Sequence, residues 1–146
     1  MRSVRSATLL AAFVAPASLF AQKQPVTAPG MNATATLTPG IRAGNILYVS
    51  GQLGVSRDNP DTTIQGQTKR ALENVQKIVE AAGSNMGNVL KCTVFLADVK
   101  DFAGMNSAYT QAFPKEPPAR STVAVAALVS PTAKVEIECL AAVPPK

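Results

Sequence analysis

Three charged residues near the carboxyl end of the chain have types and spacing suited to chemistry. Arg120 opens an apolar, strand-like run, and Glu136 and Glu138 lie two positions apart on the next such run. Residues i and i+2 of a strand share a face, so both carboxylates point the same way. A guanidinium is always charged and can bind a carboxylate through two parallel N–H donors. The spacing is compatible with two structures: a site for a small carboxylate in which Arg120 faces the glutamates, or a structural ion pair between strands.

Composition limits the function classes. The 146 residues are 47% hydrophobic and 16% charged, which is typical of one globular domain. The chain contains no histidine, which excludes His-dependent triads and His-ligated metal sites. The formal charge is +5, and the basic residues are scattered, so composition argues against nucleic-acid binding.

The first 21 residues have the layout of a secretory signal. Arg2 and Arg5 precede an apolar stretch that ends in small residues at Ala21. The stretch is short and interrupted by Pro16, so a membrane span is not expected. The pattern predicts cleavage after Ala21 and a periplasmic or secreted protein that is free of the membrane; an ordinary N-terminal helix is the alternative. Without Arg2 and Arg5, 12 Lys and Arg against 9 Asp and Glu leave a charge of +3.

The rest of the chain is interpreted as a linker, residues 22–31, followed by one domain, residues 32–146. Within the domain, a capping box at Thr62 to Gln65 and a glycine at Gly83 delimit the clearest helix. A second helix is expected from Asp98 or Lys100 to Phe113, before Pro114. Its apolar stripe is Phe102, Met105, Tyr109 and Phe113. Strands are predicted at residues 33–37, 46–50, 89–96, 121–126 and 134–143.

This order of elements predicts an α+β fold, a mixed β-sheet with two helices packed on one face. The chain supplies no further helix for the other face. The residues that alternate onto that uncovered face are Lys91, Thr93, Phe95, Glu136, Glu138 and Leu140. The uncovered face predicts that the protein is an oligomer.

Several short motifs occur together in one order. They are G-N-x-L-x-x-S-G-Q from Gly44, which includes S-G-Q at 50–52, L-E-N-V at 72–75, K-C-T-V-F-L at 91–96, D-F-x-x-x-N at 101–106, P-P-A-R-S around Arg120 and V-E-I-E at 135–138. In this order and spacing they resemble the RidA (YjgF) family, over residues 32–143. The resemblance implies a chorismate-mutase-like fold and a homotrimer with sites between subunits. It also implies hydrolysis of 2-aminoacrylate and 2-iminobutanoate to a 2-oxo acid and ammonia, with no metal or organic cofactor.

The resemblance also implies roles for individual residues. Arg120 matches the arginine that clamps the substrate carboxylate, and Glu136 matches the glutamate that orients or activates water. Ser50 and Gly51 match the site wall, Thr122 offers a backbone N–H, and Glu138 matches a more structural position. Asn106 and Tyr109 match residues near the subunit boundary, and Asn106 either pins a loop or faces the site.

Leu37 is the main departure from the family pattern, because the family commonly has tyrosine at this position. Leucine supplies neither the aromatic ring nor the hydroxyl of that tyrosine. This motivates an alternative function, an exported trimer that binds a small carboxylate without strong catalysis. A ribonuclease-like activity is a third hypothesis, and it is disfavoured because the chain lacks a basic patch.

Cys92 and Cys139 each alternate with apolar neighbours, so both are expected under the helices. Two buried thiols are the favoured interpretation. A disulfide would need Cα atoms within about 7 Å and stays open. A thiol nucleophile is disfavoured, because no histidine is present to activate it.

Overall fold

The computed structural model describes residues 22–55 and 61–145. They form one six-stranded sheet and two α-helices, and the predicted signal peptide lies outside the described residues. The elements are β1 (Gln24–Val26), β2 (Gly40–Ala43), β3 (Ile46–Leu53), α1 (Ile64–Ala81), β4 (Val89–Leu96), α2 (Phe102–Ala112), β5 (Ala119–Ala124) and β6 (Val135–Ala142). The α+β prediction, with two helices and a mixed sheet, is confirmed. Neither helix is long and apolar enough to cross a membrane.

The strands lie in the order β1-β2-β3-β6-β4-β5. Every neighbouring pair is antiparallel except β4 and β5, which are parallel. A parallel pair needs a crossover connection, and α2 provides it. β1 and β5 are therefore the two edges of the sheet, and β6 lies inside it.

The first strands differ from the prediction. No strand forms at residues 33–37, and β1 lies in the segment interpreted as a linker. Residues 34–37 form a turn in which the Thr34 N–H donates to the Leu37 carbonyl at 2.8 Å. The Thr34 hydroxyl in turn accepts from the Leu37 N–H at 3.0 Å. Hydrogen bonds from a threonine side chain to the nearby backbone favour a turn over a strand, which is why the predicted strand does not form.

Helix α1 begins one residue later than the capping box suggested. The cap is Thr63, whose hydroxyl accepts from the Gly66 N–H at 3.1 Å. Asp61 accepts from the Thr63 N–H at 2.9 Å, which fixes the turn before the helix. At the other end Gly83 has φ +83°, a left-handed conformation that favours glycine, so the predicted stop at this residue is confirmed.

Helix α2 is shorter than predicted. A 3-10 turn over Val99–Asp101 precedes it, and Asp98 caps that turn by accepting from the Lys100 N–H at 2.9 Å. The helix proper therefore starts at Phe102.

The two faces of the sheet have opposite character, as predicted. On β4 and β6 the residues under the helices are buried: Cys92, Val94, Leu96, Val135, Ile137 and Cys139. Their neighbours in the alternation, which include Lys91, Thr93, Phe95, Glu136, Glu138 and Leu140, are partly or fully exposed. The helix face holds the core, and the open face has no cover within the described chain.

A buried amide fixes β6 against α1. Gln67 of α1 is 1% exposed; its amide donates to the Thr132 carbonyl at 3.0 Å and accepts from the Lys134 N–H at 2.8 Å. Both bonds are needed, because a buried amide without partners would be unfavourable. They set the position of the strand that carries Glu136.

Cys92 and Cys139 form a disulfide, so the interpretation as two buried thiols is wrong. The residues are directly opposite each other in β4 and β6, with Cα atoms 4.1 Å apart. Alternation correctly assigned both to the buried face. It could not show that the strands are paired, or in which register.

Candidate active site

Arg120 lies at the open edge of the sheet, on the helix side. It is in register with Cys92 across the parallel β4–β5 pair, and in-register residues of neighbouring strands point to the same face. Its guanidinium carbon is 4.7 Å from the ring centroid of Tyr109 and 5.9 Å from that of Phe102, both on α2. The cation thus rests against two aromatic rings, an arrangement that attracts a cation electrostatically.

The Arg120 guanidinium makes no hydrogen bond or ion pair within residues 22–55 and 61–145. The ion pairs in this part of the chain join Lys69 to Glu73, Arg70 to Asp61 and Lys134 to Asp101. The alternative of an ion pair between Arg120 and the β6 glutamates is therefore wrong for the single chain. The N–H donors of an exposed guanidinium remain available to an anion.

Two more predicted site residues join Arg120. Asn106 is four positions after Phe102 and three before Tyr109, so helical spacing puts it on the same stripe. Its side chain forms no hydrogen bond to any loop described, which disfavours the loop-pinning role. Thr122 is on the same face of β5 as Arg120, and its hydroxyl is buried without a hydrogen-bond partner in the described chain.

The Tyr109 hydroxyl is also buried without a partner among the described residues. Burial raises the pKa of Tyr109 to about 12, and the nearby Arg120 charge opposes that rise only in part. The phenol is therefore neutral near pH 7. Its ring packs on Phe113 at 4.8 Å between centroids, which holds it in the core.

Glu136 belongs to a second group, on the open face. It is paired with Leu53 across the β3–β6 pair, beyond a register shift between Val49 and Gln52. A Cβ at Gly51 would collide with the Glu136 carboxylate. A side chain at position 51 would therefore displace the carboxylate, which accounts for a glycine at this point of the wall.

Ser50 lies beside Gly51, but its hydroxyl is already engaged. It donates to the Thr38 carbonyl at 2.6 Å, and the Ser50 N–H donates to the Pro39 carbonyl at 3.0 Å. Ser50 therefore anchors the strand to the preceding turn, and its hydroxyl can offer a ligand only an acceptor.

A cavity of about 360 Å³ opens beside Ser50 on the uncovered face. Its charged lining residues are Lys91 and Glu138, on neighbouring strands, and it is also lined by Tyr48, Thr93 and Leu140. The alternation pattern predicts Lys91 and Glu138 on the uncovered face, and the family resemblance gives Glu138 a structural position. Their shared face and opposite charges were the signal that could have placed them together.

The predicted site residues thus form two groups in one chain. Arg120, Asn106, Tyr109 and Thr122 lie along the helix side of the β5 edge, whereas Glu136, Gly51 and Ser50 lie on the open face. The expectation that Arg120 faces the glutamates is wrong within one chain, because β5 and β6 are separated by β4 and the side chains leave opposite faces. Among the described residues, no three Cys, Asp or Glu side chains form a group that could hold a metal ion.

The family model described as Endoribonuclease L-PSP matches residues 27–143, nearly all of the described chain. The chain belongs to this family. The L-PSP match starts at residue 27, inside the segment interpreted as a linker and directly after β1.

Two relatives agree with this assignment. The mitochondrial protein mmf1 of Schizosaccharomyces pombe is 37% identical over 122 residues, covering 82% of this chain and 75% of its own length. The chloroplastic Reactive Intermediate Deaminase A of Arabidopsis thaliana is 41% identical over 107 residues, covering 69% of this chain and 55% of its own length. The resemblance to the RidA (YjgF) family is therefore confirmed.

One solved structure in this family is Escherichia coli TdcF with bound serine. It is 37% identical, with a TM-score of 0.70, and the match covers 76% of this chain and 91% of that one. Its fold agrees with the sheet and helices described above.

The prediction of a periplasmic or secreted protein is contradicted by these relatives, whose names are mitochondrial and chloroplastic. The leader pattern did not discriminate between destinations. Arginines and serines without acidic residues occur at residues 1–21, and organelle-targeting segments share those features with secretory signals.

Proposed function

We propose that this L-PSP family chain is a hydrolytic deaminase of small 2-enamine and 2-imine carboxylates such as 2-aminoacrylate and 2-iminobutanoate. The observation that carries the proposal is the exposed Arg120 guanidinium, which rests on two aromatic rings and has no hydrogen-bond or ion-pair partner among residues 22–55 and 61–145. A planar fork of this kind binds a carboxylate with two parallel hydrogen bonds. The Arabidopsis relative is named as a reactive intermediate deaminase, which supports the same chemistry.

In this reaction Arg120 holds the substrate carboxylate while Glu136 accepts a proton from water. The water oxygen forms a bond to C2 of the iminium, and the C2–N bond then breaks. Protons from the water pass to the departing nitrogen, so iminium and water become a 2-oxo acid and ammonium. A 2-enamine first takes up a proton at C3 to give the iminium. Gly51 has no side chain, so it leaves space for the Glu136 carboxylate that accepts the proton from water.

The two charged groups require two copies of the chain. Arg120 and Glu136 are on strands about 10 Å apart, since neighbouring strands are spaced by nearly 5 Å, and they leave opposite faces. In a 2-imino acid the carboxylate is bonded directly to C2. One chain therefore cannot serve both ends of one substrate, whereas the β5 edge of one copy can meet the open face of another.

We propose a homotrimer as this assembly. The contact joins two different surfaces, the β5 edge and the open face, so it is heterologous, and it closes into a ring of three when successive copies are related by a rotation of one third of a turn. Arg120 on one surface complements Glu136 and Glu138 on the other. The open face also carries Tyr48, 51% exposed, as apolar surface that a second copy would cover.

The second candidate function is binding of a small carboxylate without strong catalysis. It is favoured by Leu37, which is 52% exposed and supplies neither ring nor hydroxyl. The related TdcF was solved with bound serine, which also carries a carboxylate. The family description names an endoribonuclease, but this chain lacks histidine for acid–base cleavage, and that activity is not proposed.

The test is release of ammonia and 2-oxo acid from freshly generated 2-iminobutanoate. Arg120→Ala is expected to lower kcat/KM by at least about 100-fold, because a hydrogen-bonded charge pair contributes several kcal/mol to recognition. Glu136→Gln is expected to lower kcat and preserve carboxylate binding. Lys115→Ala, which removes an exposed cation from the loop before β5, is the matched control.

Each outcome selects one function. Turnover in the wild type that Arg120→Ala abolishes supports the deaminase. Carboxylate binding without turnover supports the binding protein. Full activity in Arg120→Ala would refute the site.

A further inference from the structure

Phe102 is a large aromatic residue that takes no part in the hydrophobic core. It is the first residue of α2 and is 42% exposed. The buried core on this side of the sheet includes Tyr109 and Phe113 from the same region, but not Phe102. Core packing therefore does not account for this ring, and the Arg120 guanidinium carbon lies 5.9 Å from its centroid.

The two rings flank Arg120 in different environments. Tyr109 is 4% exposed and is fixed by the core, whereas Phe102 lies at the surface, seven residues earlier on the same helix. Two turns of helix separate the residues, so their rings lie along one stripe. A long arginine side chain has many rotamers, and contact with two rings restricts them.

Other groups that could orient Arg120 are missing from the described chain. Its guanidinium has no carboxylate and no carbonyl acceptor there, and Asn106, on the same stripe, makes no hydrogen bond to it. The rings therefore remain as the contacts that can hold the cation. They do so without occupying its N–H donors, which an acidic partner would have done.

We infer that Phe102 and the ring of Tyr109 are positioning residues that hold the Arg120 guanidinium ready for a substrate carboxylate. We call the contact of these two rings with Arg120 the aromatic clamp. The inference rests on the proposed function only in naming the carboxylate, because the aromatic clamp is a property of the free chain. Phe102 is the surface half of the clamp and can be changed without opening the core.

The first test observes Arg120 directly. Protons over an aromatic face are shifted upfield, so the Arg120 Nε–Hε resonance is expected to be shifted upfield in the wild type. Phe102→Leu keeps apolar bulk but removes one ring, and should move the resonance downfield. Tyr109→Phe keeps the ring and removes only the hydroxyl, and should leave the Arg120 resonance in place. Unchanged Arg120 resonances in Phe102→Leu would overturn the inference.

The second test measures how the same substitutions change the affinity for a small carboxylate. With 2-oxobutanoate as a stable probe, Phe102→Leu is expected to weaken binding by about two- to five-fold, the range of an exposed cation–π contact. If the wild type also turns over 2-iminobutanoate, KM should rise by a similar factor with kcat nearly unchanged. Phe102→Tyr restores a ring face and is expected to restore affinity.

Val99→Ala is the matched control, because Val99 is an exposed apolar residue of the turn before α2. It is expected to change neither the resonance nor the affinity. Equal losses in Val99→Ala and Phe102→Leu, or no rescue by Phe102→Tyr, would show a general loss of helix order and refute the clamp. Absence of turnover in the wild type would refute the deaminase alone, since the resonance and the binding of 2-oxobutanoate are read independently.

Discussion

The two faces of the sheet differ in how much of their surface a single chain buries. On the helix face, Val94 and Ile137 are fully buried and Cys92 is bonded to Cys139. On the open face, the same strands expose Lys91 and Glu138. The contacts that stabilise the fold are thus made beneath the helices, whereas Glu136 on the open face and Arg120 at the β5 edge remain where a neighbouring copy can reach them. Stability and function can therefore be perturbed separately.

The largest expected effect on the helix face is loss of the disulfide. It closes a loop with a sequence separation of 47, and in the chain-entropy model such a loop contributes about 4 kcal/mol. Replacing both Cys92 and Cys139 by alanine is expected to lower the free energy of unfolding by about that amount. Urea unfolding of the oxidised wild type and the double variant measures it. Equal midpoints for the wild type with and without reductant would show that the thiols are free.

A smaller effect is expected from single residues of β6, and it compares the faces directly. Ile137→Ala removes buried methyl groups beneath the helices and is expected to destabilise the fold by about 2–5 kcal/mol. The adjacent Glu138→Ala removes an exposed carboxylate on the open face and should change the free energy of unfolding of the single chain by no more than about 0.5 kcal/mol. Urea unfolding of both variants provides the comparison. Similar losses would mean that the open face is packed as tightly as the core.

The smallest effect on folding is expected from Leu140→Glu, also on the open face. Leu140 is half-buried beside the cavity, so the added charge can stay hydrated in the single chain. A second copy placed there would have to bury it, which is unfavourable. We expect unchanged circular dichroism, together with loss of the homotrimer in light scattering. A trimer that persists in Leu140→Glu would place the subunit contact elsewhere.

Much of the fold could be predicted from local patterns. The α1 stop at Gly83 and the alternation on β4 and β6 were visible in the sequence, because each depends on a few adjacent residues. The strand expected at residues 33–37 failed because the Thr34 side chain forms a turn instead. The disulfide needed the register between β4 and β6, which no local pattern contains.

The sequence predicts which residues belong to the site, but it does not predict how they are arranged in space. Arg120 and Glu136 were selected by residue type and motif, and their roles stay predictions. The face on which Arg120 and Glu136 lie depends on strand order and register. β5 pairs in parallel with β4, and β6 pairs with the other side of β4. Phe102 was assigned to an apolar stripe and to a motif, yet its contact with Arg120 could not be inferred from spacing alone.

The covalent link between β4 and β6 also determines how the chain would respond to cleavage. Arg120 and Glu136 both lie between Cys92 and Cys139, and so does Val129, which is 90% exposed in the loop that joins β5 to β6. A protease that cuts at this loop would separate the arginine from the glutamate along the backbone but leave both fragments in one molecule. The nicked protein would migrate as a single species until it is reduced, and only then as two fragments.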